Sequence, residues 1–321
     1  MPMNNLLQAF APVVHTQQTV QLNNDLSQVS LYFVYAAMAL YTVAFLAYVW
    51  HLSQAASTVK ANRKGATRIE KFAFILLVVS AGLHGFGVVL RGVAASRVPW
   101  ANMYEFSITG TFLVVAIYLV SWFFVRDVRI LAVFLSGFVL LVLGIATNQF
   151  YVQVKSLMPA LQSYWLVIHV TVAILATGFF NIAAAASIAY LMKGSKLVET
   201  SKLKGFALTR RILGLFPDMN KLEKLAYRFN IIGFILWTFT LIAGAIWAER
   251  AWHRYWGWDT KEVWTFIIWT IYAGYLHANA TRGWSGKRSA WLAVIGFCAI
   301  IFNFTIVNLF FKGLHVYSGL K

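Results

Sequence analysis

Six of the 13 tryptophans, Trp247, Trp252, Trp256, Trp258, Trp264 and Trp269, fall within 23 consecutive residues. Arg254, Asp259, Lys261 and Glu262 are interleaved with them. Indole faces stack on large planar rings, and Arg or Lys pairs with carboxylates. Trp252, Trp256 and Trp258 beside Arg254 and Lys261 therefore suit a flat aromatic ligand with acidic groups, and a porphyrin has both features. A plain alternative accounts for part of the cluster: tryptophans gather at membrane–water interfaces, so two or three of the six are expected there whatever the function. The seven histidines, His15, His51, His84, His169, His253, His277 and His315, are the candidate ligands for a metal in such a ring.

The elements that must position these residues are membrane spans. The 321 residues are 60% hydrophobic and 12% charged, against roughly 25% charged in a soluble domain. That excludes a soluble globular protein, and the apolar and aromatic content excludes a disordered one. Eight stretches are long enough to cross about 30 Å of hydrocarbon: Leu31 to Trp50, Phe72 to Leu90, Ile108 to Val125, Ile130 to Ala146, Trp165 to Met192, Phe229 to Trp247, Trp264 to Ala280 and Ala290 to Phe311. The fold class expected is an all-α integral membrane bundle of about eight transmembrane helices, with the Trp-rich loop on its outer face. Two domains are expected: a polar N-terminal segment over residues 1–29, with no apolar run of a cleavable leader, and an eight-span domain over residues 30–321. Arg126 to Arg129 read as a tight turn between spans three and four.

The net charge of +17 is explained by topology without a nucleic-acid partner. Of the 27 Lys and Arg, 19 lie in the connections after spans one, three, five and seven, and 8 elsewhere. The positive-inside rule places the first group in the cytoplasm and both termini outside. The loop from Lys193 to Arg228 holds nine of them; it reads as a solvated anchor near anionic lipid, with a docking surface for a cytoplasmic partner as the alternative.

With that topology the histidines can be placed by depth. His169 lies about five residues into the fifth span, within ~7 Å of its outer end, and His315 follows the eighth span on the same side. They are placed to approach a ligand of the Trp-rich loop from two sides, as bis-imidazole coordination of haem iron requires. His277 lies deep in the seventh span and is a functional candidate as an intramembrane histidine. His84 is also buried, but at a different depth, so the two do not make an obvious pair. For both, an interhelical hydrogen bond is the competing reading. His51 reads as an interfacial anchor, His15 as a solvated tail residue, and His253 as a structural loop residue or a third contact.

Other features carry less. The segment Arg97 to Phe106 reads as a loop packed on something. Arg91, ending the second span, is expected to snorkel to the headgroups, with a propionate as the alternative partner. Cys298 excludes an internal disulfide or CxxC pair and reads as a small buried packing residue.

The stretch WGWDTKEVW, Trp256 to Trp264, resembles the "WWD" signature of haem-handling proteins of cytochrome c biogenesis. Together with His169, His315, His277, eight spans and the loop from Pro99 to Glu105, the chain resembles the CcsA family, also called ResC, of System II, from about the first span to the end. The resemblance implies haem b as substrate and transient ligand, with His169 and His315 as external ligands of its iron and His277 as a ligand of a site within the membrane. It implies that Trp256, Trp258, Asp259 and Trp264 hold the porphyrin, and leaves His84 only weakly supported as a ligand. It also implies a CcsB/ResB-type membrane subunit supplying the second intramembrane ligand, apocytochrome c with reduced CxxCH as acceptor, a thioredoxin-like thiol reductant system, and a place in the cytoplasmic membrane. Haem would pass from the His277 side to the outer platform, with Arg254 and Lys261 at its propionates. Three rivals stand beside this: a haem transporter or chaperone without ligation, a b-type electron-transfer protein, and a non-catalytic membrane regulator. The second lacks the two His pairs on facing helices that stacked haems need.

Overall fold

The computed structural model describes residues 23–57, 63–157, 161–200, 204–281 and 284–315. His15, Lys60, Arg282, nearly all of the N-terminal segment and the tail beyond His315 lie outside them. The described chain is helical and without strands. In order it forms α1 (Asn24–Ser57), α2 (Arg63–Ala95), α3 (Met103–Phe124), a 3-10 turn (Arg126–Leu131), α4 (Ala132–Gln149), α5 (Tyr164–Lys193), α6 (Lys196–Thr200), α7 (Lys204–Gly214), α8 (Met219–Trp252), α9 (Thr260–Ala280), α10 (Lys287–Phe304) and α11 (Ile306–Phe310).

Seven of these segments are long and apolar enough to cross a membrane among the described residues. The eighth expected span is α9, a full 21-residue helix whose Thr-Lys-Glu opening and His-Ala-Asn close dilute its apolarity. The helices outrun the apolar windows read from sequence. At 1.5 Å per residue the 34 residues of α1 and of α8 each span about 51 Å, because polar flanks continue the hydrogen-bonded ladder beyond the hydrocarbon. Start signals are local: Asn102 accepts from the Glu105 N–H at 2.9 Å to open α3, and Ser163 accepts from the Trp165 N–H at 3.3 Å to open α5. The turn between spans three and four forms as expected, with the Arg129 guanidinium 3.8 Å from the Trp122 ring.

The helices pack in two associated groups. One gathers α1 to α4, and the other is organised by the antiparallel pair α5 and α8, with α9 and α10 against them. Small residues permit the close pairing, since lipid supplies no hydrophobic drive between helices. Ala183, Ala184 and Ala186 of α5 are buried, and Gly233 and Gly244 of α8 leave room for Phe180 and His169.

Three expectations are revised. Arg91 does not snorkel: it is fully buried, 3.1 Å from Glu105, and donates to Ser27 Oγ at 2.6 Å and to the Val152 carbonyl at 2.7 Å. Glu105 also accepts from Arg97 at 2.6 Å and from the Ala101 N–H at 3.0 Å. The segment from Arg97 to Phe106 is thereby packed down, as expected of it. Cys298 is exposed rather than buried, because it falls on the outward face of α10. The basic loop after α5 is not wholly solvated: Leu213 and Phe216 enter the core, and Lys193 Nζ caps the Phe216 carbonyl at 2.7 Å.

Candidate functional site

The Trp-rich loop is a tight connection between α8 and α9. The end of α8 is closed by His253, whose N–H donates to the Glu249 carbonyl at 2.7 Å with φ of 56°. Trp258 also takes a positive φ, of 59°, which is rare for a residue with a bulky side chain. A carboxylate holds this shape: Glu262 accepts from the Gly257 N–H at 2.7 Å and from the Asp259 N–H at 3.2 Å. Asp259 in turn accepts from the Lys261 N–H at 3.0 Å, which completes a capping box at the start of α9. A Cβ at Gly257 would overlap the Arg254 guanidinium, so a side chain there would displace that guanidinium from its place over the loop.

Asp259 reaches beyond its own helix. Its Oδ2 accepts from the Leu314 N–H at 2.8 Å, and its Oδ1 lies 3.0 Å from His315 Nδ1. Burial works to raise the Asp259 carboxyl, but the hydrogen bonds from His315 and from the Lys261 and Leu314 N–H groups outweigh it and hold the group at about 2. A carboxylate only accepts, so Nδ1 of His315 carries the proton and, in the neutral ring, Nε2 presents a lone pair.

His169, on the second turn of α5, is held in an equivalent way by main chain. Its Nδ1 lies 2.9 Å from the Thr240 carbonyl of α8, which again fixes the proton on Nδ1 and leaves Nε2 free. The missing Cβ of Gly244 admits the ring, since a Cβ there would stand 2.7 Å from His169 Cε1. Both imidazoles lean on one indole. Trp247, only 1% exposed, stacks near His169 with ring centroids 6.2 Å apart and meets His315 edge-on at 5.6 Å. The two imidazole centroids are thus no more than about 12 Å apart, the two distances taken together. Trp252 closes on His315 at 4.9 Å.

His169 and His315 line a single cavity of about 370 Å³ between α3, α4, α5, α8, α9 and α10, within the range of small-molecule sites. Its walls are mainly apolar, with Phe138, Val142, Ile174 and Ile300 among them. Polar groups gather on α9 and after α10: Lys261 Nζ donates to the Asn303 carbonyl at 2.8 Å and to Asn308 Oδ1 at 2.9 Å. In its charged form the amine has one N–H left over, and no carboxylate lies within ion-pair distance of it among the described residues. Such a site suits a flat, mostly apolar molecule that carries a metal able to take neutral nitrogen ligands and a negative group at one edge.

Of the residues singled out from sequence, His169, His315, Trp256 and Lys261 line this cavity, and Trp252 and Asp259 back it through His315. The others stand apart. Trp258 is 78% exposed and meets Trp256 at 5.8 Å. Trp264 packs on Phe302 of α10 at 4.4 Å, and the Arg254 guanidinium lies over its own loop, 5.9 Å from the Trp252 ring. His84 is fully buried between α1, α2 and α3, its Nδ1 3.4 Å from the Tyr41 hydroxyl and its ring against Phe112. His277 is exposed in the last turn of α9, about 24 Å along the helix from Lys261, and no hydrogen bond holds its ring among the described residues. Sequence reading passed over Trp247, Thr240, Gly244, Glu262, Asn303 and Asn308 as site residues. Glu262 was within reach, since Asp259-x-x-Glu262 is a capping-box spacing; Thr240 acts through its main chain and leaves no signal.

Residues 100–315 match the family described as Cytochrome C assembly protein. Among curated relatives, the Cytochrome c biogenesis protein CcsA of Guillardia theta is 34% identical over 245 residues, covering 72% of this chain and 80% of the relative. The protein of the same name from Gloeobacter violaceus is 31% identical over 281 residues, covering 72% and 81%. That from Trieres chinensis is 31% identical over 281 residues, covering 80% and 90%. The matched span runs from Trp100, at the loop before α3, to His315, and so contains both cavity histidines and the loop between α8 and α9. A multi-pass helical membrane protein with this match along most of its length belongs to the cytochrome c assembly protein family, and within it to the CcsA family.

Proposed function

We propose that this protein is the haem-presenting subunit of a System II cytochrome c synthetase. It carries haem b across the cytoplasmic membrane, holds it between His169 and His315, and supports its attachment to the CxxCH motif of apocytochrome c. The observation that carries this reading is the pair of imidazoles on one cavity, each with Nδ1 bonded away and Nε2 free. Two neutral axial nitrogens keep dioxygen off the iron and favour a six-coordinate, low-spin centre.

The residues divide the work by position. His169 and His315 ligate, Trp247 and Trp252 keep their rings oriented, and Trp256 borders the ring edge. Lys261, with one N–H to spare, is the propionate partner on α9, and Arg254 and the exposed Trp258 stand where an incoming apocytochrome is met. The bond-forming step needs no nucleophile from this chain. Each thiol of CxxCH adds across a vinyl double bond, sulfur to one carbon and hydrogen to the other, with no leaving group and no net redox change. A thioredoxin-like reductant keeps those thiols available, and the protein's contribution is alignment of thiols and vinyls.

The distribution of Lys and Arg supports a periplasm-like location for the cavity, the Trp-rich loop and both termini. His277, exposed on α9 far from the cavity, is suited to a second haem site shared with a CcsB/ResB-type subunit that supplies the opposing ligand. The test is co-expression with that subunit and a reporter apocytochrome c. Wild type yields covalently attached haem on the reporter, and His169→Ala and His315→Ala each reduce it by at least about tenfold. Unchanged yield in both variants refutes the synthetase reading. Haem bound normally with no thioether formed by the wild-type pair reduces the protein to a carrier.

A further inference from the structure

The two imidazoles are anchored very differently, and the difference assigns them different jobs. His169 belongs to the 30-residue helix α5, bonds to a main-chain carbonyl of α8, and is boxed in by Gly244, where even a Cβ has no room. Its ring can give by about an ångström, but swinging it clear of the cavity means moving a helix. His315 instead follows the five-residue helix α11 and a non-helical strap over residues 311–315. That strap is tied down by Asp259, which holds Leu314 and His315, and the helices it leaves are held from α9 by Lys261 through Asn303 of α10 and Asn308 of α11. The fit is close, since a Cβ at Gly313 would collide with the Asp259 carboxylate. The exposed side chains also gather here, with Leu314 at 45% and Trp258 at 78%.

We propose that the Asp259–Lys261 turn is a clasp on the His315 strap, so that His315 is the ligand released when the histidine of CxxCH arrives, while His169 stays on the iron throughout. This rests on the haem reading above and goes beyond it by naming the exchanged ligand and the positioning residue that governs the exchange. Asp259 touches neither porphyrin nor iron; it acts through the His315 ring, as carboxylates behind metal-bound histidines do. The incoming peptide therefore meets the site from the strap side, and release requires a non-helical segment to swing rather than two helices to part.

The experiment uses the haem-loaded complex with its partner subunit, reduced and mixed with saturating carbon monoxide. The rate of the Soret change then reports how fast the endogenous ligand leaves. Asp259→Ser keeps an N-cap for α9 but is too short to reach Leu314 and His315. Gly313→Ala leaves Asp259 intact and lifts the strap. Both variants are expected to start six-coordinate and low-spin and to accelerate the exchange by roughly tenfold to a hundredfold, the loss of a charge-assisted hydrogen bond. Asp259→Asn, which still accepts hydrogen bonds, falls between them and wild type. In a His315→Gly background the effect of Asp259→Ser vanishes, because the two act as one unit. Rates within twofold of wild type for both Asp259→Ser and Gly313→Ala, or an effect that persists without His315, overturn the clasp while leaving the haem site standing. If His169→Gly and His315→Gly both keep the wild-type six-coordinate spectrum, the haem reading itself falls, and the clasp with it.

Discussion

Replacing Gly244 by Ala separates the stability of the bundle from the geometry of its site. In a helix interior Ala is favoured over Gly by about 1 kcal/mol, so α8 itself gains. The new Cβ, however, stands 2.7 Å from His169 Cε1 and 2.8 Å from Nδ1, where carbon contacts relax to about 3.5–4.0 Å. The ring is the movable partner and must retreat by roughly 1 Å. That takes the 2.9 Å bond to the Thr240 carbonyl out of hydrogen-bond range, at a cost of about 1 kcal/mol. Gain and loss nearly cancel, and the thermal midpoint is expected within about 4 °C of wild type. The site fares worse, because ligating groups must be held to within about 0.5 Å. Purified Gly244→Ala is therefore expected to elute and melt like wild type, yet to show a high-spin or haem-depleted optical spectrum. A low-spin spectrum of wild-type intensity in the folded variant refutes the placement of His169, and an unfolded variant refutes the claim that its ring can give way.

Other perturbations test separate parts of the account. Glu105→Leu strands Arg91 and Arg97 without their shared carboxylate and should cost about 3–5 kcal/mol; a monodisperse gel-filtration peak at wild-type yield contradicts that. Trp247→Ala empties a fully buried site between the two imidazoles and should cost about 3–5 kcal/mol, whereas Trp258→Ala, at an exposed position, should stay within about 0.5 kcal/mol. Equal melting points for these two variants would falsify the assigned burial. Cys298→Ser, on the outward face of α10, should leave both haem binding and reporter cytochrome yield unchanged, and loss of the reporter would mean that a thiol of this chain takes part in the chemistry.

Much of this architecture is legible in the sequence because hydrocarbon thickness imposes a length on every span and lipid forbids unpaired backbone. The eight stretches, the tight turn at Arg126 to Arg129 and the polar Trp-rich connection all follow from that. What hydropathy cannot show is the continuation of helices beyond lipid, hence the extra turns on α1 and α8. Arg91 departs from expectation for a related reason: rise per residue gives its depth, but its partner Glu105 is set by the packing of α2 on α3. The exposure of Cys298 is hidden from sequence because an apolar helix does not reveal in its own residues which face meets lipid.

The site was legible in kind and partly hidden in detail. His169 and His315 stand out by depth and by the loop between them, and Asp259 stands out by its motif. That Asp259 works through His315, that Lys261 spends two of its N–H groups on Asn303 and Asn308, and that Trp247 sits between the imidazoles depend on contacts between segments up to 78 residues apart, as from His169 to Trp247. Thr240 contributes a carbonyl that any residue type could offer.

The central claim is that His169 and His315 hold one haem between them. It is tested most directly by the optical spectrum of the purified protein with its partner subunit, for wild type, His169→Ala and His315→Ala. The account predicts a six-coordinate low-spin haem in wild type that turns high-spin or is lost in each variant. A haem-free wild type, or two variants that keep the wild-type spectrum, would contradict it.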